Sequence, residues 1–195
     1  SSHGNWGETG RMERSMVEKR KLVVGIGGTL RPNSSTEKAI RAVLDAAADC
    51  GAEVRMFAGE DIDFPMYSPT AGIRAAGAAN MIEALRAVVI GSPGYHGRIS
   101  GLVKNALDYT EDMAGDSNPY FTNKSVGCIA TGAGWQGANS TLHALRSVVH
   151  ALRGWPTPLG IALNSKEALF DANGLAIHGE VDAQLKVMAA QLLEQ

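Results

Sequence analysis

At 195 residues, with 45% hydrophobic and 19% charged residues, the chain is long enough for one domain with a filled core and is not a disordered one. A net charge of −2 on scattered Lys and Arg gives no basic face for nucleic acid or an anionic membrane. No run approaches the roughly 18 apolar residues of a membrane span, and Cys50 and Cys128 form no C-x-x-C pair, so reduced thiols in the cytoplasm are expected.

Residues 1–19, which include Trp6, show neither helical nor strand periodicity and read as a flexible arm ahead of a single domain over 20–195. From Lys21 short apolar runs alternate with helical patterns, the order of parallel strands joined by crossover helices. The first strand is Lys21–Ile26. It feeds a Gly- and hydroxyl-rich loop ending in Ser34-Ser-Thr-Glu37, a capping box with Ser34 as N-cap and Glu37 at the third helical position. Apolar pairs at 39/40, 43/44 and 47/48 carry that helix to Gly51.

Ala52–Phe57 is the second strand, followed by an acidic, proline-bearing loop through Pro65 and Pro69 and a helix ending near Leu85. Ala87–Gly91 is the third, followed by the loop Ser92–Ile99 and a helix from about Ser100. Ser125–Thr131 is the fourth, followed by the glycine loop Gly132–Gly137 and a helix bearing Leu142, Leu145, Val149 and Leu152. Pro158–Leu163 is the fifth, Asp171–Gly174 a turn, and Val181–Leu193 the closing helix. The whole predicts an α/β, flavodoxin-like, doubly wound sheet of five parallel strands with helices on both faces. In such sheets a ligand lies beyond the carboxyl ends of the strands, where the first, third and fourth loops meet.

The first of those loops suits a phosphate. Thr29, Ser34, Ser35 and Thr36 supply hydroxyls beside Arg31, and the backbone N–H groups of a helix start favour an anion. Capping explains one hydroxyl, not four beside a guanidinium. There is no G-x-x-x-x-G-K-[ST], and Leu30 stands where a dinucleotide fingerprint needs its third glycine, so an ATPase loop and a Rossmann loop are both excluded. In the second loop Gly94 and Gly97 flank Tyr95 and His96; in the third Gly132, Gly134 and Gly137 lie beside Trp135. Two permissive loops and one phosphate cradle point to a planar ring with a phosphorylated side chain, although tight strand-to-helix turns alone also ask for glycine.

Thr29-Leu-Arg31 with Ser34 and Thr36, the run Ser92–Tyr109, and Thr131-Gly-Ala-Gly134 together resemble the NADPH-dependent FMN reductase family of the flavodoxin-like superfamily, from about Lys21 to the last helix. The resemblance implies FMN and NADPH as cofactors. It implies that Thr29, Arg31, Ser34, Ser35 and Thr36 hold the FMN phosphate, and that Pro93, Gly94, Tyr95, His96 and Gly97, with Thr131, Gly132, Gly134 and Trp135, line the isoalloxazine. It also implies a homodimer or homotetramer and a small-molecule electron acceptor such as a free flavin, a quinone, an azo compound or chromate. The chain departs from the family at Gly94, His96, Ser100 and Tyr109, where Glu, Asn, Pro and Trp are frequent.

Hydride transfer needs stacking and orientation and no obligatory protein acid or base, so no catalytic side chain and no metal is expected, and His96 reads as a positioning group. Lys104 and Asp108, four apart on one helix, read as an ordinary exposed pair, for which the resemblance implies a structural or subunit-contact role, and His143 and His150 read as structural or surface groups. An electron-carrier flavodoxin and a flavin-binding sensor are the rival readings. Carriers of that type are strongly acidic, which −2 on 195 residues is not.

Overall fold

The computed structural model describes residues 20–70 and 76–194; the arm expected at residues 1–19 lies outside them. Strand β1 (Leu22–Gly27) sends Val24 and Ile26 to one face of the sheet and Val23 to the other, as a period of two requires. Both faces are covered, so nothing polar is needed along it. Helix α1 (Ser35–Asp49) follows, burying Ala39, Ile40, Val43, Leu44 and Ala47 at helical spacing. Ser34 Oγ accepts from the Glu37 N–H at 3.2 Å, the expected cap. The Glu37 carboxylate reaches one residue beyond the cap and accepts from the Asn33 N–H at 3.1 Å.

Strand β2 (Glu53–Ala58) leads through a 3-10 turn (Gly59–Ile62) and a loop to helix α2 (Ala76–Ala84). Strand β3 (Ala87–Tyr95) then folds back through the short β4 (Arg98–Ile99) into helix α3 (Gly101–Asp108). Strand β5 (Ser125–Gly132), helix α4 (Trp135–Ala151), the two short strands β6 (Trp155–Pro156) and β7 (Ile161–Asn164), and helix α5 (Gly179–Leu193) complete the chain. The parallel order is β2-β1-β3-β5, with β6 and β7 sharing the fifth position beside β5.

Helices α1 and α5 cover one face, where Ile40, Leu44, Leu185 and Met188 pack on Val89, Ile129 and Ile161. Helices α2, α3 and α4 cover the other, where Met81, Leu107, Leu145 and Val149 pack on Val24, Val88, Ile90 and Val126. Each fully buried side chain of this size contributes about 1.5–3 kcal/mol relative to exposure, so the two layers fix which way every strand faces.

Most boundaries lie within two residues of the sequence reading, and three differ by more. Strand β3 does not stop at Gly91: Ser92 and Pro93 stay in register with Ala130 and Thr131, and Gly94–Tyr95 pair antiparallel with Arg98–Ile99. The fifth strand starts at Ile161, not Pro158. Pro158 has no N–H to donate, while the Thr157 carbonyl accepts from Arg146 (2.9 Å) and the Leu159 N–H donates to Gln191 (2.9 Å), which holds this stretch out of the ladder. Helix α4 begins at Trp135, which shortens the third loop and places Gly137 inside the helix. The turn at Asp171–Gly174 is present, with Asp171 Oδ1 accepting from the amides of Asn173 and Leu175.

Candidate functional site

The order of the strands reverses between β1 and β3, and the loops after those strands enclose a cleft of about 500 Å³. Gly28, Thr29, Leu30 and Arg31 form one wall; Pro93, Tyr95, Ser100, Gly101 and Leu102 form the other. The walls stand close because β1 and β3 touch at their ends: a Cβ on Gly27, whose φ is +144°, would sit 1.9 Å from the Gly91 carbonyl oxygen. Only glycine fits there.

Within the first wall the loop bonds to itself. Thr29 Oγ1 donates to the Arg31 carbonyl (3.0 Å) and accepts from the Arg31 N–H (3.1 Å), a hydroxyl turn that fixes the direction of both residues. The Arg31 side chain is exposed and forms no hydrogen bond or ion pair with another described residue. The half-buried Ser35 hydroxyl is likewise without a partner among the described residues, and the Ser35 and Thr36 amides belong to the first helical turn, ahead of the intrahelical ladder. An unpaired guanidinium, a hydroxyl and a helix start on one loop are the groups that suit an anion.

Ser34 and Thr36 are differently employed. Ser34 is 5% exposed and occupied as the cap; Thr36 is 1% exposed and its hydroxyl lies 2.7 Å from that of Thr131. That bond ties the first turn of α1 to the end of β5.

The second wall is a hairpin. His96 (φ 53°) and Gly97 (φ 76°) are both left-handed between the paired Tyr95 and Arg98, a two-residue type I′ turn. His96 and Tyr95 are exposed at its tip. Gly94 does not free space for a ring: a Cβ there would meet Thr141 Oγ1 at 2.5 Å, so its glycine is required by helix α4. Ser92 Oγ accepts from the Ser100 N–H (3.0 Å), and Ser100 caps α3 through Val103 (3.2 Å), which brings a second helix start to the cleft. The Arg98 guanidinium donates to the Gly97 carbonyl (3.1 Å), within its own turn.

The third loop stands apart from the lining. Gly132 is packed under Ala138, where a Cβ would come 2.7 Å from the backbone nitrogen. Gly134 (φ +138°) is the N-cap of α4 with open space where a Cβ would lie, and Trp135 beyond it is half exposed.

Gly28, Leu30, Ser100, Gly101 and Leu102 line the cleft although the sequence reading gave none of them a part in binding, and Asn105 supports it from behind. The Asn105 amide donates to the carbonyls of Phe64 and Pro65 (both 3.1 Å) and accepts from the Tyr67 N–H (2.8 Å), while Tyr109 OH donates to the Pro65 carbonyl (2.8 Å). Phe64 and Tyr67 both meet the Tyr109 ring edge-on, near 5 Å. An Asn one turn past a capping Ser, facing a proline loop, was the available signal. Lys104 and Asp108 form an exposed i, i+4 pair at 2.5 Å, and His143 and His150 lie on the surface. Burial pushes the Cys128 thiol up to about 12, so it is inert; Cys50 is exposed. Among the described residues no cluster of metal-ligating side chains occurs, and no helix is long and apolar enough to cross a membrane.

A doubly wound parallel sheet of the order β2-β1-β3-β5 followed by a fifth position, with a cleft at its reversal point, defines a flavodoxin-like protein. Residues 22–168 match the family model described as NADPH-dependent FMN reductase, and the chain belongs to that family. It is 31% identical over 99 residues to an FMN-dependent NADPH-azoreductase of Staphylococcus aureus, an alignment covering 51% of this chain and 49% of that protein. The chain thus spans about half the length of the curated relatives it matches. In fold it is similar to the flavoenzyme NAD(P)H:(acceptor) oxidoreductase FerB of Paracoccus denitrificans (TM-score 0.69, 20% identity, 89% of this chain and 98% of that one). An oxidoreductase from Corynebacterium diphtheriae gives a TM-score of 0.68 at 19% identity, covering 90% and 98%.

Proposed function

We propose that the chain binds FMN at this cleft, accepts reducing equivalents from a reduced nicotinamide, NADPH by preference, and delivers them to a small-molecule acceptor. The observation that carries the reading is the unpaired Arg31 beside the first turn of α1, an anion cradle opening onto a cleft sized for a ligand of several hundred ångström cubed. Bound there, FMN supplies the two-electron redox chemistry.

The chain's own part is binding and orientation. Arg31, the Ser35 hydroxyl and the first-turn amides of α1 would hold the phosphate, with Thr29 fixing the loop that aims them. Pro93 and the hairpin Gly94–Gly97 would border the ring on one side, with Tyr95 and Leu30 at its outer rim. Thr131, Gly132, Gly134 and Trp135 would close the far side by way of the Thr36–Thr131 bond. Binding a nicotinamide against an exposed ring face calls for an open rim, which Tyr95 at 56% and Leu30 at 54% exposure provide.

Trp155, Trp135 and Tyr95 are exposed aromatics on one small chain, and we assign it a homodimeric or homotetrameric state on that ground and on its family. Light scattering that returns a monomer at micromolar concentration would refute the assembly. The exposed Cys50 thiol suits a reducing compartment, and we assign the cytoplasm. The activity is tested by the absorbance of the purified protein after FMN loading, followed by stopped-flow mixing with NADPH. Rapid bleaching of bound flavin is expected; a flavin that NADPH and NADH leave oxidised would return the protein to the electron-carrier reading.

A further inference from the structure

A second, larger cleft, of about 1630 Å³, opens at the opposite pole of the sheet, where Leu22, Glu53, Ala87 and Ser125 mark the amino ends of β1, β2, β3 and β5. Nothing in the cofactor chemistry uses it. Among the described residues its walls carry five cationic side chains against three acidic ones, on a chain whose net charge is −2. The acids do not neutralise the cations evenly. Glu53 is already paired with Arg55 at 3.7 Å, while Arg86 and Lys124 have no carboxylate at ion-pair distance among the described residues and bond there to backbone, at Leu85 (2.9 Å) and Tyr120 (2.6 Å).

Two like charges facing one cleft repel each other: burial and then the Arg86 charge hold the Lys124 ammonium below its ordinary value, and the more distant Asp116 carboxylate offsets this only in part. Such a pair is relieved when an anion joins it. Asn118 and Thr122 add donors and acceptors beside the cations, and Leu22 and Leu85 add an apolar floor. Charge, hydrogen-bonding groups and floor together match one ligand chemistry: a doubly charged oxyanion attached to a small organic body.

We propose that this amino-pole cleft is a binding site for a small organic phosphate, held by Arg86 and Lys124, separate from the cofactor cleft at the carboxyl pole. The site does not depend on the FMN reading, because its groups lie at the other ends of the same strands.

The test uses FMN-loaded protein, so that the carboxyl-pole cradle is already filled. Adenosine 5′-monophosphate is titrated while backbone amide resonances are followed, with adenosine as the uncharged control. Saturable shifts centred on Asn118, Asn123, Lys124 and Ser125 are expected, with a dissociation constant below about 1 mM. Arg86→Gln and Lys124→Gln should each weaken binding about tenfold or more, the scale of one lost hydrogen bond to a charged group. Arg55→Gln, on an exposed edge strand, is a second surface variant and should weaken binding less than either. The proposal is overturned if shifts fall only at Thr29–Arg31 and Tyr95, if adenosine binds as well as its phosphate, or if none of the variants changes the affinity.

Discussion

The hydroxyls of Thr36 and Thr131 lie 2.7 Å apart and both residues are almost wholly buried, so the first turn of α1 and the strand that precedes the third glycine loop are joined by one shielded hydrogen bond. Removing one hydroxyl strands the other. Thr36→Val should cost about 1–3 kcal/mol, and Thr36→Val/Thr131→Val should recover part of that loss, because an apolar pair of the same shape leaves no unsatisfied group. Urea unfolding of the two single variants and the double variant measures the coupling. A Thr36→Val protein of unchanged stability that no longer retains FMN would instead put the hydroxyl on the ligand.

Arg31 has no competing partner among the described residues, so its removal should be felt by the ligand and not by the fold. Arg31→Ala should weaken FMN binding by about 1.5–3 kcal/mol with the melting temperature of the apoprotein unchanged. Fluorescence titration of the apoprotein with FMN gives the answer. An unaltered dissociation constant would remove Arg31 from the site.

His96 sits at the hairpin tip with φ 53°, a backbone that Asn and Gly adopt at least cost, which is a physical reason for the family's Asn at this place. His96→Asn should keep or improve stability, and His96→Gln should leave flavin reduction by NADPH within roughly tenfold, where an essential general acid or base contributes about 10²–10⁴-fold. Single-turnover reduction after reconstitution with excess FMN decides this. A thousandfold loss with normal flavin content would make His96 catalytic.

Gly134 offers the opposite case. Its φ of +138° is strained for any residue with a Cβ, although no atom lies within 4 Å of the place that Cβ would take. Gly134→Val should therefore distort the start of α4 at a cost of about 1–3 kcal/mol and lower FMN occupancy, while far-UV circular dichroism stays native. Full occupancy in this variant would detach the third loop from the ring.

Cys128 supplies a pH test. Its thiol is pushed up to about 12 in the folded chain by burial, above its ordinary value, so the native state keeps a proton that the unfolded state gives up. The corresponding stability is present below about pH 9 and is lost as pH climbs from there toward 12, at up to about 1.4 kcal/mol per pH unit. Cys128→Ala should be less stable at pH 7 through its lost packing, yet show a shallower alkaline decline. Denaturation curves from pH 8 to 10.5 compare the slopes. Thiol reagents should label Cys50 in the native protein and reach Cys128 only on unfolding.

The parallel strands, both helix faces and the Ser34 cap were legible because each follows from spacing within a few residues. The hairpin was not. Pro93 and Gly94 in the run after Gly91 look like the end of a strand, and His-Gly lacks the Asn-Gly signature of its turn, so an extension of β3 reads as a loop. Gly94 was misleading in a second way, since its lack of a side chain answers to Thr141, 47 positions later, and local sequence carries no record of that contact. The same limit hid the burial of Thr36: a hydroxyl in a phosphate-loop pattern gives no sign that Thr131 occupies it.

The broken fifth position affects how the molecule behaves in company. An intact strand at that edge would present a run of unpaired N–H and C=O groups on which another chain could add a strand. Here Pro156 and Pro158 lie on either side of Thr157, and only the four residues Ile161–Asn164 beyond them remain as ladder. The opposite edge, β2, carries the exposed charges of Glu53 and Arg55. Both borders are therefore blunted as templates, and strand addition between copies of this chain is disfavoured at either edge of the sheet.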